Sequence, residues 1–110
     1  AMVATCHVAD AFGAMIAPHN AQSPFTTAVN AHIDVAMSNV MIQECFDDFQ
    51  VSWTDEVLGG YPKVIDGFIT PSDAPGIGVS LSEDAVGKYP YGSDNFLRLF
   101  EAGWEKRRMH

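Results

Sequence analysis

Two titratable residues, His19 and Glu44, each stand at the end of a short apolar run. The runs cover residues 14–17, with Pro18 before the histidine, and residues 40–43. This separation fits one strand-helix-strand unit of a parallel α/β fold, in which both side chains lie at the carboxyl ends of neighbouring strands. An imidazole and a carboxyl group that converge there are suited to proton transfer.

Each of these residues also has a purely structural interpretation. A histidine that follows a proline can be a loop residue bonded to backbone, and a glutamate can be a salt-bridge partner at the rim of a barrel. Asn20 and Gln43 flank the pair, and each is a candidate for contacting substrate or for capping a loop. His32 lies on the apolar face of a predicted helix and is interpreted as a core residue, while His7 and His110 are assigned no role.

The elements that must position the pair follow from the apolar spacing. A first helix is predicted over residues 2–12, and short buried strands over residues 14–17 and 40–43. Between the strands, Ser23 and Pro24 predict the N-cap and first turn of a helix of about 13 residues. Two parallel strands cannot bury both faces of a sheet, so the chain is expected to be the end of something larger.

The second half of the chain abandons the strand-helix alternation. Residues 46–62 have no sustained period, which predicts a long irregular loop. An Asp-Gly pair predicts a tight hairpin over residues 64–69. A short strand is predicted at residues 79–81, followed by a short helix that Ser82 opens. A final helix is predicted within residues 95–108.

The composition is that of an ordinary globular domain: 110 residues, 47% hydrophobic and 18% charged. Fourteen acidic against six basic residues give a formal charge of −8, which disfavours nucleic acid and anionic membranes as partners. The run of residues 106–108 is interpreted as a solvated helix end. Cys6 and Cys45 lie in apolar stretches, and two buried thiols favour a reducing cytoplasm over a disulfide framework. The expected location is therefore cytoplasmic.

Six short segments occur in one order along the chain. They are Ile16-Ala17-Pro18-His19-Asn20, Ala31-His32-Ile33-Asp34, Asn39-Val40-Met41-Ile42-Gln43-Glu44, Asp66-Gly67-Phe68-Ile69, Asp73-Ala74-Pro75-Gly76-Ile77-Gly78-Val79 and Lys88-Tyr89-Pro90-Tyr91. Over about residues 1–91 this ordered set resembles the carboxyl-terminal quarter of the enolase superfamily, in its mandelate racemase and muconate lactonizing enzyme-like subgroup. Within that subgroup it is similar to the acid-sugar dehydratases that act on galactonate and mannonate.

The resemblance implies an α/β fold, the carboxyl-terminal part of a modified TIM barrel of the (β/α)₇β type. Residues 1–52 would form its last strand-helix-strand units, and residues 53–110 a tail that packs on the barrel and a capping domain. His19 falls on the position of the catalytic histidine. Glu44 falls on that of an acid that, when protonated, donates a hydrogen bond to the substrate carboxylate. Asn20 is the predicted substrate-binding residue.

The resemblance further implies a Mg²⁺ cofactor whose three carboxylate ligands lie upstream of this chain, as does the aspartate that pairs with the histidine. The expected function is removal of the proton α to a carboxylate, with dehydration of an acid sugar by a lyase; the segment alone is expected to be inactive. A racemase or cycloisomerase of the same superfamily, and a non-catalytic assembly module, are the alternatives. Expected partners are a small-molecule acid sugar, the remainder of the barrel and capping domain, and further copies in a homo-oligomer.

Acidic and aromatic residues after the second strand are open to two interpretations. Asp47 and Asp48 are interpreted as a solvated turn, because hard cations need more oxygen ligands than an adjacent pair directs at one point. Phe46, Phe49 and Trp53 could wall a sugar pocket or form an apolar plug at the barrel mouth.

Overall fold

The computed structural model of the chain describes residues 1–46, 49–92 and 101–103. The predicted helix within residues 95–108, the basic run at 106–108 and the Asp47-Asp48 pair lie outside the described residues. None of the helices in the described part is long and apolar enough to cross a membrane. The elements, in chain order, are α1 (Met2–Ala11), α2 (Pro24–Ala36), α3 (Thr54–Val57), β1 (Leu58–Gly59), β2 (Val64–Ile65), β3 (Phe68–Ile69), β4 (Ser80–Leu81) and α4 (Glu83–Lys88).

The first helix forms as predicted and ends at Ala11. Gly13 follows in the left-handed region at φ 68°, and its N–H donates to the carbonyl of Asp10. Cys6 is the buried residue of this helix. The expectation of two buried thiols therefore holds for Cys6 alone, because Cys45 is only half-buried.

The second helix begins with Pro24 in its first turn and has Ser23 as its N-cap residue, as predicted. Ser23 has the extended backbone of an N-cap residue, yet its side chain makes no capping hydrogen bond. Instead its carbonyl accepts the N–H groups of Thr26 and Thr27, at 2.8 and 3.3 Å. Thr27 and Ala28 belong to the buried face of α2, where small side chains allow close packing.

The segments before and after α2 pair in parallel, as predicted, through one bridge between Ile16 and Val40. The N–H of Ile16 donates to the carbonyl of Asn39, and the N–H of Met41 donates to that of Ile16, both at 2.8 Å. The expected four-residue strands are wrong: the ladder does not extend beyond this bridge. A parallel pair without neighbouring strands is marginal, and the described residues supply no third strand here.

Side-chain amides take over where the backbone ladder stops. At one end, the buried Asn39 donates from Nδ2 to the carbonyls of Cys6 and Ala14, at 3.0 and 3.1 Å. At the other end, Gln43 donates from Nε2 to the carbonyl of Pro18 at 3.1 Å. These bonds tie α1 and the first strand segment to the second segment on both sides of the bridge.

Replacing Asn39 by Ala is expected to destabilise the full-length protein by about 2–4 kcal/mol, because two carbonyls would lose their donor. The measurement is the shift of the denaturant midpoint relative to wild type. Ser38→Ala, a change at the exposed neighbour, is the control and is expected to stay within about 0.5 kcal/mol. Equal stability of the two variants would show that water or other groups satisfy the carbonyls.

The second half is built from short local elements. Asp66 and Gly67 adopt positive φ values of 51° and 82°, as a type I′ turn requires, and they join β2 to β3 in the predicted hairpin. Strand β1 pairs antiparallel with β4, so part of the segment predicted as an irregular loop is α3 and β1. The predicted cap of α4 is confirmed, because Ser82 Oγ accepts the N–H of Ala85 at 3.3 Å.

Candidate active site

The parallel bridge brings the two candidate residues into direct contact. His19 Nδ1 lies 2.5 Å from Glu44 Oε2. Each residue follows its own bridged segment in the same chain direction, so both emerge at the same edge. The convergence predicted from the spacing of the two residues is therefore present in the structure.

The Glu44 carboxyl group is held by a second contact as well. The backbone N–H of Asn20 donates to the same oxygen, Oε2, at 2.7 Å. The other oxygen, Oε1, takes no part in these two contacts. The His19 side chain is 79% exposed and that of Glu44 is 39% exposed, so a small molecule can reach both.

The contact between the two side chains determines which imidazole nitrogen is suited to act as a base. A nitrogen and a carboxyl oxygen this close are hydrogen-bonded, and assigning the imidazole proton to Nδ1 makes Nδ1–H the donor to Oε2. With the proton on Nδ1, the neutral ring carries its lone pair on Nε2. His19 then presents an acceptor for a substrate proton on the side of the ring away from Glu44.

The predicted substrate contact, Asn20, has its side chain turned into the protein. Its side chain is buried, and Nδ2 donates to Thr27 Oγ1 on α2 at 2.8 Å. Its Oδ1 is buried without a hydrogen-bond partner among the described residues. Substrate binding by Asn20 stays a prediction, while its backbone N–H reaches Glu44. No sequence signal pointed to Thr27.

Two further acceptor oxygens are buried without a partner in the described part of the chain. They are Gln43 Oε1 and Asp34 Oδ1, and burial raises the pKa of the Asp34 carboxyl group above its ordinary value. Both residues line one cavity of about 370 Å³ that also includes Met41 and Phe68. Buried acceptors without donors are rare in folded proteins, but these two oxygens have almost no accessible surface, so the cavity does not open directly onto them.

The remaining residues named from sequence occupy structural positions. His32 Nε2 is 3.4 Å from the carbonyl of Ile77, which agrees with a satisfied core residue. The rings of Phe46 and Phe49 lie 5.3 Å apart, while Trp53 stacks on Tyr89 at 4.6 Å. These contacts leave both interpretations of the aromatic residues open.

A cluster near α3 was not anticipated from the sequence. Asp55 Oδ1 accepts hydrogen bonds from Lys63 Nζ and Tyr61 OH, each at 2.7 Å, and the lysine lies over the tyrosine ring. The hydrogen bonds from Lys63 and then Tyr61 lower the pKa of the Asp55 carboxyl group. The Asp55 side chain is exposed, so this cluster organises a surface turn rather than a buried site.

The described residues do not fit a magnesium site. No group of three or more His, Cys, Asp and Glu side chains among them is arranged to hold a metal ion. Mg²⁺ prefers octahedral oxygen coordination, which His19 and Glu44 alone cannot provide. Any metal at this edge would be held by residues outside the described part of the chain.

Parallel pairing across a helix, with an imidazole and a carboxyl group at one edge, is typical of an α/β domain of the TIM-barrel type. A family model described as Enolase C-terminal domain-like matches residues 1–85. The chain belongs to this family, and its fold is that of an α/β, TIM-barrel-type carboxyl-terminal domain. The resemblance stated from the sequence is thereby confirmed.

Known proteins agree with this assignment. D-gluconate/D-galactonate dehydratase of Picrophilus torridus is 30% identical over 97 residues, which are 88% of this chain and 25% of the relative. A mandelate racemase/muconate lactonizing enzyme from Jannaschia sp. CCS1 matches with TM-score 0.70 and 31% identity, over 79% of this chain and 22% of that one. An enolase from Pantoea ananatis with bound D-gluconate and Mg matches with TM-score 0.71 and 28% identity, over 78% and 21%. The chain thus spans about a quarter of the length of the proteins it matches.

Proposed function

We propose that this chain is the carboxyl-terminal portion of a Mg²⁺-dependent lyase that removes the proton α to a carboxylate and dehydrates an acid sugar. The contact between His19 and Glu44 at an exposed edge carries the proposal. The similarity to a D-gluconate/D-galactonate dehydratase and to a structure with bound D-gluconate supports the substrate class.

The architecture that goes with this function is a (β/α)₇β barrel. Residues 1–52 would supply its last strand-helix-strand units, and residues 53–110 would pack on the barrel and a capping domain. Met15, Met41 and Ile42 are exposed in or beside the bridged segments, which supports further layers of protein against them.

In the proposed reaction, His19 is the base. The proton next to a carboxylate is very weakly acidic, so its removal needs a positioned base together with stabilisation of the enediolate charge. Nε2 of His19 takes the proton, and the ring becomes an imidazolium. The imidazolium returns that proton to the departing β-hydroxyl group, which leaves as water. The enol that remains becomes the keto acid.

Glu44 assists at the substrate carboxylate. Its Oε2 is engaged by Asn20 and His19, so Oε1 is the oxygen from which a protonated Glu44 would donate to the substrate. The hydrogen bond strengthens as charge develops on the carboxylate oxygen, which lowers the barrier. Asn20 would border the same substrate group.

A bound Mg²⁺ would stabilise negative charge on the substrate carboxylate. The superfamily neighbour with bound D-gluconate and Mg supports this cofactor. Its ligands would come from outside this chain.

The test is a panel assay on the full-length protein with D-gluconate, D-galactonate and D-mannonate. We expect one of them to form a keto acid, with exchange of the α-proton for solvent deuterium, and EDTA to abolish both until Mg²⁺ is restored. Exchange with epimerisation and no keto acid would instead indicate the racemase alternative. Absence of exchange on all three acids would contradict the proposal and favour an assembly module.

A further inference from the structure

Asn20 connects the site to the interior of the protein through two hydrogen bonds. Its backbone N–H donates to Glu44 Oε2 at 2.7 Å, and its side-chain Nδ2 donates to Thr27 Oγ1 at 2.8 Å. The first bond is partly buried, and the second is buried. Asn20 is therefore the only link of this kind that the described hydrogen bonds make between Glu44 and α2.

Both ends of this bond are buried. Asn20 and Thr27 are each 1% exposed, and Thr27 lies on the buried face of α2, a helix of 13 residues. A threonine in a helix divides between two χ1 rotamers, and the 2.8 Å bond from Asn20 Nδ2 favours the one in which Oγ1 accepts it. The Asn20 Oδ1 has no partner in the described chain, so the bond to Thr27 is what orients this amide.

Two other side-chain amides hold the flanks of the loop around Asn20: Gln43 Nε2 donates to the carbonyl of Pro18 and Gln50 Nε2 to that of Gln22, each at 3.1 Å, and neither bond is made to Asn20 itself. The described secondary structure has no element between the bridge at Ile16 and the start of α2. His19 is mostly exposed and its ring contacts Glu44 through Nδ1. A movement of the Asn20 backbone would therefore shift the Glu44 carboxyl group and the His19 ring together.

We propose that Thr27 and Asn20 are positioning residues, whose buried hydrogen bond holds the Asn20 backbone N–H where it orients Glu44 toward His19. The inference rests on the proposed function of His19 and Glu44. In this proposal, Thr27 on α2 positions His19 and Glu44 without contacting either of them. Small displacements of catalytic groups lower turnover strongly, so the effect should be measurable.

The test compares Thr27→Val with Thr26→Val in the full-length protein. Valine has nearly the shape of threonine but no hydroxyl group, so Asn20 Nδ2 loses its acceptor. Thr26 is the matched control, because it neighbours Thr27 on α2 and its hydroxyl group donates to Gln22 Oε1, at 3.2 Å near the surface. Thr27→Ser keeps the hydroxyl and serves as the rescue variant.

We expect Thr27→Val to lower kcat on the acid that the wild type dehydrates by about 10- to 100-fold, with KM changed by less than about threefold. Thr26→Val should match wild type, and Thr27→Ser should recover most of kcat. A purely structural role of Thr27 predicts a lower melting temperature with kcat unchanged at the assay temperature, and that result would overturn the proposal.

A second readout does not need activity. Amide hydrogen exchange at Asn20, followed by mass spectrometry with single-residue fragmentation, should speed up by about tenfold or more in Thr27→Val and not in Thr26→Val. If the wild type acts on none of the three acids, the proposed function fails while this readout still decides the positioning proposal. Unchanged exchange at Asn20 in Thr27→Val overturns it in every case.

Discussion

His19→Asn is expected to lower turnover of the full-length enzyme by about 10²–10⁴-fold or more, while leaving its fold nearly intact. Asparagine keeps much of the shape of histidine and can still bond Glu44, but it has no nitrogen of suitable basicity. The side chain is 79% exposed and contributes little packing, so stability should hardly change. The measurement is initial rate under saturating substrate, with α-proton exchange in deuterated solvent.

The control for this variant is His7→Asn, which replaces an exposed histidine of α1. It should behave as wild type in rate and in melting temperature. Should the His19→Asn protein exchange the α-proton at the wild-type rate, another group must be the base. Loss of dehydration with exchange retained would instead limit His19 to protonating the departing hydroxyl group.

Replacing Glu44 by Gln and by Ala is expected to lower activity to different extents. Glu44→Gln keeps an oxygen that accepts the Asn20 N–H and an N–H that donates to substrate, so it should retain partial activity. Glu44→Ala removes both groups and should lose about 10²–10³-fold in the rate of enediolate formation. Both are measured with saturating Mg²⁺, so that weaker metal binding is not mistaken for weaker chemistry.

A surface salt bridge predicts the opposite pattern. Pairs at such exposure contribute little to stability, so Gln and Ala would then have similar small effects and leave turnover almost unchanged. Glu83→Gln changes an exposed carboxyl group on α4 and controls for the loss of one negative charge. Near-native turnover in both Glu44 variants would leave His19 as the one residue here with an assigned role.

Local signals explain which parts of the fold were predictable from sequence. The Asp66-Gly67 turn tolerates positive φ, Pro24 suits a first helical turn, and Ser82 has a hydroxyl for its own helix. Each of these depends only on residues a few positions away. Ser23 shows the limit, because its side chain makes no capping bond although the sequence favours one.

One long-range contact of the site was predictable from the sequence, and others were not. The spacing of His19 and Glu44 predicted their approach, since strand periodicity and a crossover helix determine where such residues emerge. The bond between Asn20 and Thr27, and the cluster of Asp55, Tyr61 and Lys63, have no comparable pattern. They depend on side-chain orientations that only the folded chain specifies.

The side-chain amides of Asn39 and Gln43 constrain the number of residues between them more strongly than the types of those residues. Their bonds to the preceding segment bracket residues 40–42, whose Met41 and Ile42 side chains are exposed in the described chain. One apolar residue can replace another at these positions without moving Asn39 or Gln43. An inserted or deleted residue would change the length of chain between the two amides, so Gln43 could not reach the carbonyl of Pro18 while Asn39 stays bonded to that of Ala14, and Glu44 would move away from His19. Related sequences that keep this chemistry should therefore differ in residue type across residues 40–42 but seldom carry an insertion or deletion there.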